Sequence, residues 1–284
     1  DLVRMHELSG DTAKAQILLE GLYQQSPRDP DVIAGLARLY RSSGRTEDAI
    51  RFMQKLRDLE PEKPEHYETL IAFYYETKQT RLMLAERERL IAALEKKCSA
   101  DAPRQLSASE SVEIKTRLLR EYHDLAALYS SLERPYKQAD LYKRAIKVMP
   151  REKTLAVNYI NLLLAYQSPS DLLPLLDTAV KNFPNDQWII DIAIGAAFKQ
   201  GDAARAERFA RTGIRNRPDS QFLIPYFLHL THALRLQPAK LQQYLDTSLD
   251  AWQRFGDKFR IYDTIDLALK KQKFDFAKKA IALW

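Results

Sequence analysis

The sequence predicts an all-α array of repeated antiparallel helix pairs. Three observations carry this: prolines recur every 34 residues, small and apolar residues keep their phase between them, and glycine is scarce, at 8 of 284 positions. Pro27 and Pro61, Pro150 and Pro184, and Pro184 and Pro218 are each 34 apart. Proline cannot donate an N–H to the ladder, so it closes a helix. Pro61 and Pro150 are 89 apart, or twice 34 plus 21, which predicts two units with an insertion.

The clearest copy runs from Pro30 to Pro61. Leu36, Ala37 and Tyr40 share one face of a first helix, Gly44 stands at the turn, and Ala49, Met53 and Leu56 share a face of a second helix. Ala37 and Ala49 let the two helices cross closely, and Gly44 gives the turn access to positive φ. The copy before it shows Gly10, Ala15, Leu19, Leu22 and Pro27 in the same order. The copy closing at Pro218 has Gly201, Ala206 and Ala210, and the one closing at Pro184 keeps Leu163, Leu176 and Ala179 with Gln167 at the turn.

Other units are degenerate. Tyr67, Leu70, Ile71 and Tyr74 predict a first helix, after which Lys78 replaces the turn glycine and a second helix over 80–96 ends without proline. The small, polar stretch 97–110, which contains Cys98 and Pro103, reads as a loop inserted between repeats. Leu118, Leu119, Tyr122, Leu125, Leu128 and Tyr129 then predict a longer helix over 111–132. An aromatic first helix follows Pro218, with a second helix over 238–255 and a final pair over 257–284. The last helix leaves Phe276, Ile281 and Trp284 without a following unit, and the chain opens at Asp1 inside a helical pattern. Residues 1–284 are therefore expected to form one array of about seven to eight units, truncated at both ends. The missing turn glycine and proline predict looser packing beside the insertion.

A 34-residue period with these residues in phase resembles the tetratricopeptide repeat family. The resemblance implies a right-handed superhelical solenoid, concave along the first helices, with ligand-facing side chains at fixed first-helix positions. Carried onto this chain, those positions hold Arg38, Arg41, Glu68 and Tyr75, then Arg120, His123, Asn161 and Leu164, then Trp188, Asp191, Phe198, Phe222, His229 and His232. Asn158 and Asn161 suit an extended peptide backbone. Aromatics would supply contact area and Arg directed hydrogen bonds. Against this stand the plainer alternatives. Trp188, Phe198 and Tyr226 would pack between repeats, and Arg38 and Arg41 would be solvated. Chaperone-type members of the family grip a C-terminal carboxylate with Lys and Asn. Here the matching position holds Ala34, Glu68, His123, Val157, Asp191 and Pro225, none of them Lys, which excludes that clamp.

Catalytic signatures are absent: no Gly-rich phosphate loop, no His-Glu-x-x-His, no Gly-x-Ser-x-Gly. Neither a catalytic residue nor a cofactor is expected. The single Cys98 excludes a disulfide framework and a Cys-rich zinc site. His229 and His232 lie i, i+3 on one helix face, but zinc wants three or four ligands, so no metal site is expected. A net charge of +6 and a pI near 9.2 lean basic without a nucleic-acid signature. The run Arg205, Arg208, Arg211, Arg215 and Arg217 would lie on a second helix as a solvated outer face, because Asp202 and Glu207 stand among the arginines. No apolar run is long enough to span a membrane.

The expected function is a non-catalytic scaffold that recruits another protein through its groove. Long degenerate arrays of this kind resemble the periplasmic scaffolds of bacterial exopolysaccharide exporters of the outer membrane, in biofilm formation. That resemblance implies a polysaccharide-modifying enzyme as partner and favours the periplasm, with the cytoplasm as alternative. Direct guiding of a polysaccharide or other charged polymer along the groove is the competing expectation.

Overall fold

The computed structural model describes residues 12–99, 107–166, 168–216, 223–256 and 261–283. Gly10, Pro103, Gln167, Arg217, Pro218, Phe222 and Trp284, singled out in the sequence, lie outside them. The described residues are all-α, with fifteen α-helices and one short 3-10 turn among them. The chain divides into two compact units, 1–141 and 142–284, where the sequence reads as a single array.

The first unit holds α1 (Thr12–Gln25), α2 (Pro30–Ser42), α3 (Thr46–Leu59), α4 (Pro64–Glu76), α5 (Thr80–Cys98) and α6 (Ala108–Ser131). The helix α7 (Pro135–Val148) begins in it and ends in the second. The second unit continues with α8 (Lys153–Ala165), α9 (Pro169–Asn182), α10 (Gln187–Lys199), α11 (Ala203–Asn216), α12 (Leu223–Arg235), α13 (Leu241–Phe255), α14 (Ile261–Lys270) and α15 (Phe274–Leu283). A 3-10 turn, Pro238–Lys240, leads into α13.

Local chemistry starts and stops these helices. The Asp29 carboxylate accepts the backbone N–H of Asp31 at 2.9 Å and of Val32 at 3.4 Å, and Pro30 occupies the first turn of α2, where no N–H is needed. Asp186 caps α10 by accepting from Ile189 N at 3.1 Å. Ser107 and Glu110 form a reciprocal capping box at the start of α6.

The turns between paired helices share one geometry. Gly44, Lys78, Glu133, Gly201 and Gln272 all have positive φ, between 53° and 73°. In each, the next residue's N–H reaches back five residues to a carbonyl, as Arg45 does to Tyr40 and Gln79 to Tyr74, both at 2.8 Å. This is the Schellman closure of a helix end. The turns also carry the repeat: Gly44 and Lys78 are 34 apart, Lys78 and Glu133 are 55 apart, or 34 plus 21, and Glu133 and Gly201 are twice 34 apart.

Those 21 extra residues are not confined to the 97–110 loop that the sequence suggested. Cys98 ends α5, of 19 residues, and Ala108 opens α6, of 24, whereas α2 and α3 have 13 and 14. Two lengthened helices thus carry much of the insertion. Leu90, Ile91 and Leu94 on α5 are fully buried.

Within each unit, helices pack chiefly on their chain neighbours, the pattern of a repeat stack rather than a single central core. The buried residues sit between helices: Ile33, Leu36, Leu70 and Leu118 in the first unit, Ile160, Leu176, Ile194 and Leu245 in the second. Gly213 marks a close crossing, since a Cβ there would meet the Tyr226 ring at 2.9 Å. One expectation for the last helix fails. Phe276 is buried, because with Ala277 and Ala280 it faces inward on the α14–α15 hairpin, although Ile281 is 52% exposed. Leu22 keeps the repeat phase of the buried Leu56, yet is 42% exposed.

Candidate functional site

In the first unit α2, α4 and α6 are the first helices of successive pairs, and their side chains meet. Arg41 of α2 reaches α4, pairing with Glu76 at 3.3 Å and lying over the Phe73 ring at 5.0 Å. From the other side Arg117 of α6 pairs with Glu65 at 3.1 Å and with Glu68. Arg87 of α5 joins Glu121 and, at 3.2 Å, Asp124 of α6. Between these contacts opens a cleft of about 370 Å³, lined by Glu68, Ile71, Ala72 and Tyr75 of α4, Met83 and Arg87 of α5, and Glu121 of α6. Its rim residue Tyr75 is 74% exposed.

The cleft holds a buried carboxylate beside an arginine. Burial pushes the Glu121 carboxyl above the ordinary carboxylate range; Arg87 opposes the shift, and the charges of Asp124 and Glu68 reinforce it. Deeper in the stack, Arg57 of α3 donates to both oxygens of the buried Glu86 at 2.9 and 2.8 Å, and Arg89 adds a contact at 3.1 Å. That buried pair joins α3 to α5 and fixes their register rather than facing a ligand.

In the second unit α8, α10 and α12 play the same part. Lys153 of α8 pairs at 3.0 Å with Asp186, the cap of α10. The Phe198 ring, near the end of α10, lies 4.8 Å from His232 and 6.0 Å from His229 on α12. Burial lowers the His229 pKa; Asp191 opposes the shift and His232 adds to it. A second cleft, about 460 Å³, runs along α11, α12 and α13 between Arg211, Ile214, Phe227, Leu230 and Asp250.

The described groove positions taken from the sequence lie on first helices, Phe222 being outside the described residues, and the structure brings some of them together. Arg41 meets α4, and Tyr75 shares a cleft with Glu68. Phe198 meets both histidines while Asp191 acts on His229. Arg38 and Asn161 are exposed, and His123 and Asn158 are half-buried. Trp188, weighed as packing, is 39% exposed on the α10 surface, whereas Tyr226 is buried against Gly213. No group of three His, Cys, Asp or Glu side chains placed to hold a metal occurs among the described residues. Nor is any helix among them long and apolar enough to cross a membrane.

The arginine run on α11 is largely neutralised. Arg205 and Arg208 pair with Asp177 of α9 at 3.0 and 3.1 Å, and Arg211 pairs with Glu207 at 2.9 Å. Glu207 is buried, yet contacts with Lys240, Arg211 and Gln237 outweigh that burial and hold its carboxyl below the ordinary range.

Arg87, Arg117 and Glu121 were missed in the sequence because they lie in the lengthened segment, where no proline closes a helix in phase and the repeat loses its register. A signal was present: Glu121 falls on the apolar face of Leu118 and Leu125, and Glu86 on that of Met83 and Leu90. A carboxylate on an apolar face is a buried charge in need of a partner.

Helix hairpins stacked on their neighbours, with first-helix side chains in contact, define a helical-repeat architecture. The tetratricopeptide repeat family model matches residues 8–72, which supports that resemblance over α1 to α4. Among solved structures, a tetratricopeptide repeat protein from Parabacteroides merdae shares 12% identity, with a TM-score of 0.35 over 94% of this chain and 96% of its own. YrrB, described as a tetratricopeptide protein with an unusual peptide-binding site, shares 13% over 73% of this chain and 96% of its own, with a TM-score of 0.33. Pseudomonas aeruginosa pilF shares 15% over 79% and 93%, with a TM-score of 0.30. No curated protein matches the chain.

Proposed function

We propose that this chain is a non-catalytic scaffold that recruits a partner polypeptide along the first-helix faces of its repeats. The observation that carries the reading is the cleft between α4, α5 and α6, where side chains from three consecutive helices converge on an open, partly apolar surface with an exposed tyrosine at its rim. Side chains of this kind hold extended or helical peptides in grooves. The repeat signature supports it as well, since arrays of this type generally mediate protein–protein contacts.

Polymer guiding has less support. The densest basic run is tied up by Asp177 and Glu207, so few unpaired cations remain on α11 to track an acidic chain. Among the described residues no side chain ties the scaffold to exopolysaccharide export, to the periplasm or to a polysaccharide-modifying enzyme, and the proposal stays at partner recruitment.

The test is selection from a random peptide library, followed by affinity measurements on the enriched sequence. Tyr75→Ala and the Arg38→Ala/Arg41→Ala pair should each weaken binding by about tenfold or more, about 1.4 kcal/mol. Arg51→Ala, an exposed change on the second helix α3, should leave it unaltered. Equal loss in all three, or in Arg51→Ala alone, would refute the first-helix assignment.

A further inference from the structure

We propose that the partner polypeptide lays its main chain, in extended form, across Gly195 of α10, between Asn161 of α8 and His229 of α12; the inference rests on the scaffold reading above. Asn161, Gly195 and His229 are spaced 34 apart, so they hold one repeat position on three successive first helices. Leu164, Phe198 and His232 form a second such row. Gly195 stands inside α10, where glycine is a poorer helix former than alanine. At other glycines the structure shows a reason. Gly201 has positive φ, and at Gly213 a Cβ would press on the Tyr226 ring. Gly195 has neither: it lies in regular helix, it is exposed, and a Cβ there would meet nothing within 4 Å.

The groups around Gly195 suit a peptide unit. One turn away on either side along the same face stand Asp191 and Phe198, and both act on His229. The Phe198 ring lies 6.0 Å from it, and the Asp191 charge works against the burial that lowers its pKa. The open strip over Gly195 is thus bounded by a carboxylate, an aromatic ring and an imidazole. Neither Asn161 nor His229 has a hydrogen-bond partner among the described residues. Burial disfavours the charged form of His229, and the neutral ring offers one donor and one acceptor; the Asn161 amide offers both as well. A peptide unit carries the matching pair, one N–H and one C=O. The missing Cβ lets that unit come down onto the helix, the use glycine has wherever a backbone approaches closely. A long side chain gains little from the same room, because its own stem already reaches the surface.

The experiment uses the full chain and a peptide selected on it from a random library. Gly195→Ala and Gly195→Leu should each raise the urea midpoint, because both are better helix formers. Each should nevertheless weaken peptide binding by about tenfold or more. Gly21→Ala is the control. It lies inside the second helix α1, where a Cβ also meets nothing within 4 Å, and should raise the midpoint with affinity unchanged. In the peptide, N-methylation of one amide should weaken binding by about tenfold where alanine at the same residue does not. Affinity untouched by Gly195→Leu, an equal loss in Gly21→Ala, a lowered midpoint in Gly195→Ala, or a peptide that tolerates every single N-methyl group would overturn the inference. A peptide that depends on Tyr75 but not on Gly195 would overturn it and leave the scaffold reading standing. A library that yields no binder would sink both.

Discussion

Gly213 lies on α11 where the Tyr226 ring of α12 comes closest, and the ring atoms leave no room for a Cβ. Gly213→Ala is expected to force the buried ring or the helix aside and lower stability by about 1–3 kcal/mol. A urea unfolding curve reads this as a shifted midpoint at unchanged slope. Titrating groups give a second test at this scale. The His229 pKa is depressed in the folded chain, so its contribution to stability is present above the unfolded value of 6.5 and is lost as pH falls through the lower folded value. Glu207 has the same sign in a more acidic window: its contribution holds above 4.5 and fades as pH drops below it. Glu121 has the opposite sign, favouring the fold below 4.5 and losing that contribution as pH rises through its raised value. Thermal midpoints between about pH 7.5 and about pH 5.5 should therefore fall, and His229→Gln should flatten that fall, because burial disfavours the charged form of His229 in the folded chain. An equally steep fall in the variant would show that other groups carry it.

At the level of the helix pair, one turn geometry is used five times among the described residues, and only two copies have glycine. Lys78 at φ 57° carries the strain of a left-handed side chain, about 1–2 kcal/mol. Lys78→Gly should stabilise the chain by up to about 1 kcal/mol, since added freedom in the unfolded chain offsets part of the relief. Gly44→Ala should lower stability by about 1 kcal/mol, and chemical denaturation compares the two directly. The same turns show what the sequence made legible. Glycine and proline punctuation located the repeats around Gly44 and Gly201, because those residues are selected by backbone geometry itself. It could not locate the turns at Glu133 and Gln272, where the rest of the hairpin imposes the same φ on ordinary residues. The insertion was found in size but assigned to a loop, because the periodicity of α5 and α6 does not show how far a helix continues. Groove positions such as Arg41, Tyr75 and Phe198 followed from the repeat register. Arg87 and Glu121 did not, because their partners lie on other helices and pairing across helices leaves no local spacing.

Over the whole molecule, packing between chain neighbours leaves each helix pair with an inner side for its neighbours and an outer side for solvent. The proposed function lies in what the first helices present. The ion pairs from Arg41, Arg87 and Arg117 stiffen that presentation in the first unit, as the Phe198 ring contacts with two histidines do in the second. A rigid surface loses less conformational freedom on binding and keeps more of its contact energy as affinity. The most direct measurement is site-specific photo-crosslinking. A photoreactive phenylalanine analogue is placed in turn at Tyr75 and Trp188 on first helices, and at Arg51 and Arg208 on second helices, and the library-selected peptide is then irradiated on the folded chain. Crosslinks from Tyr75 or Trp188, with none from Arg51 or Arg208, are the predicted outcome. Crosslinks confined to Arg51 and Arg208 would contradict the account, placing the partner on the second-helix surfaces instead.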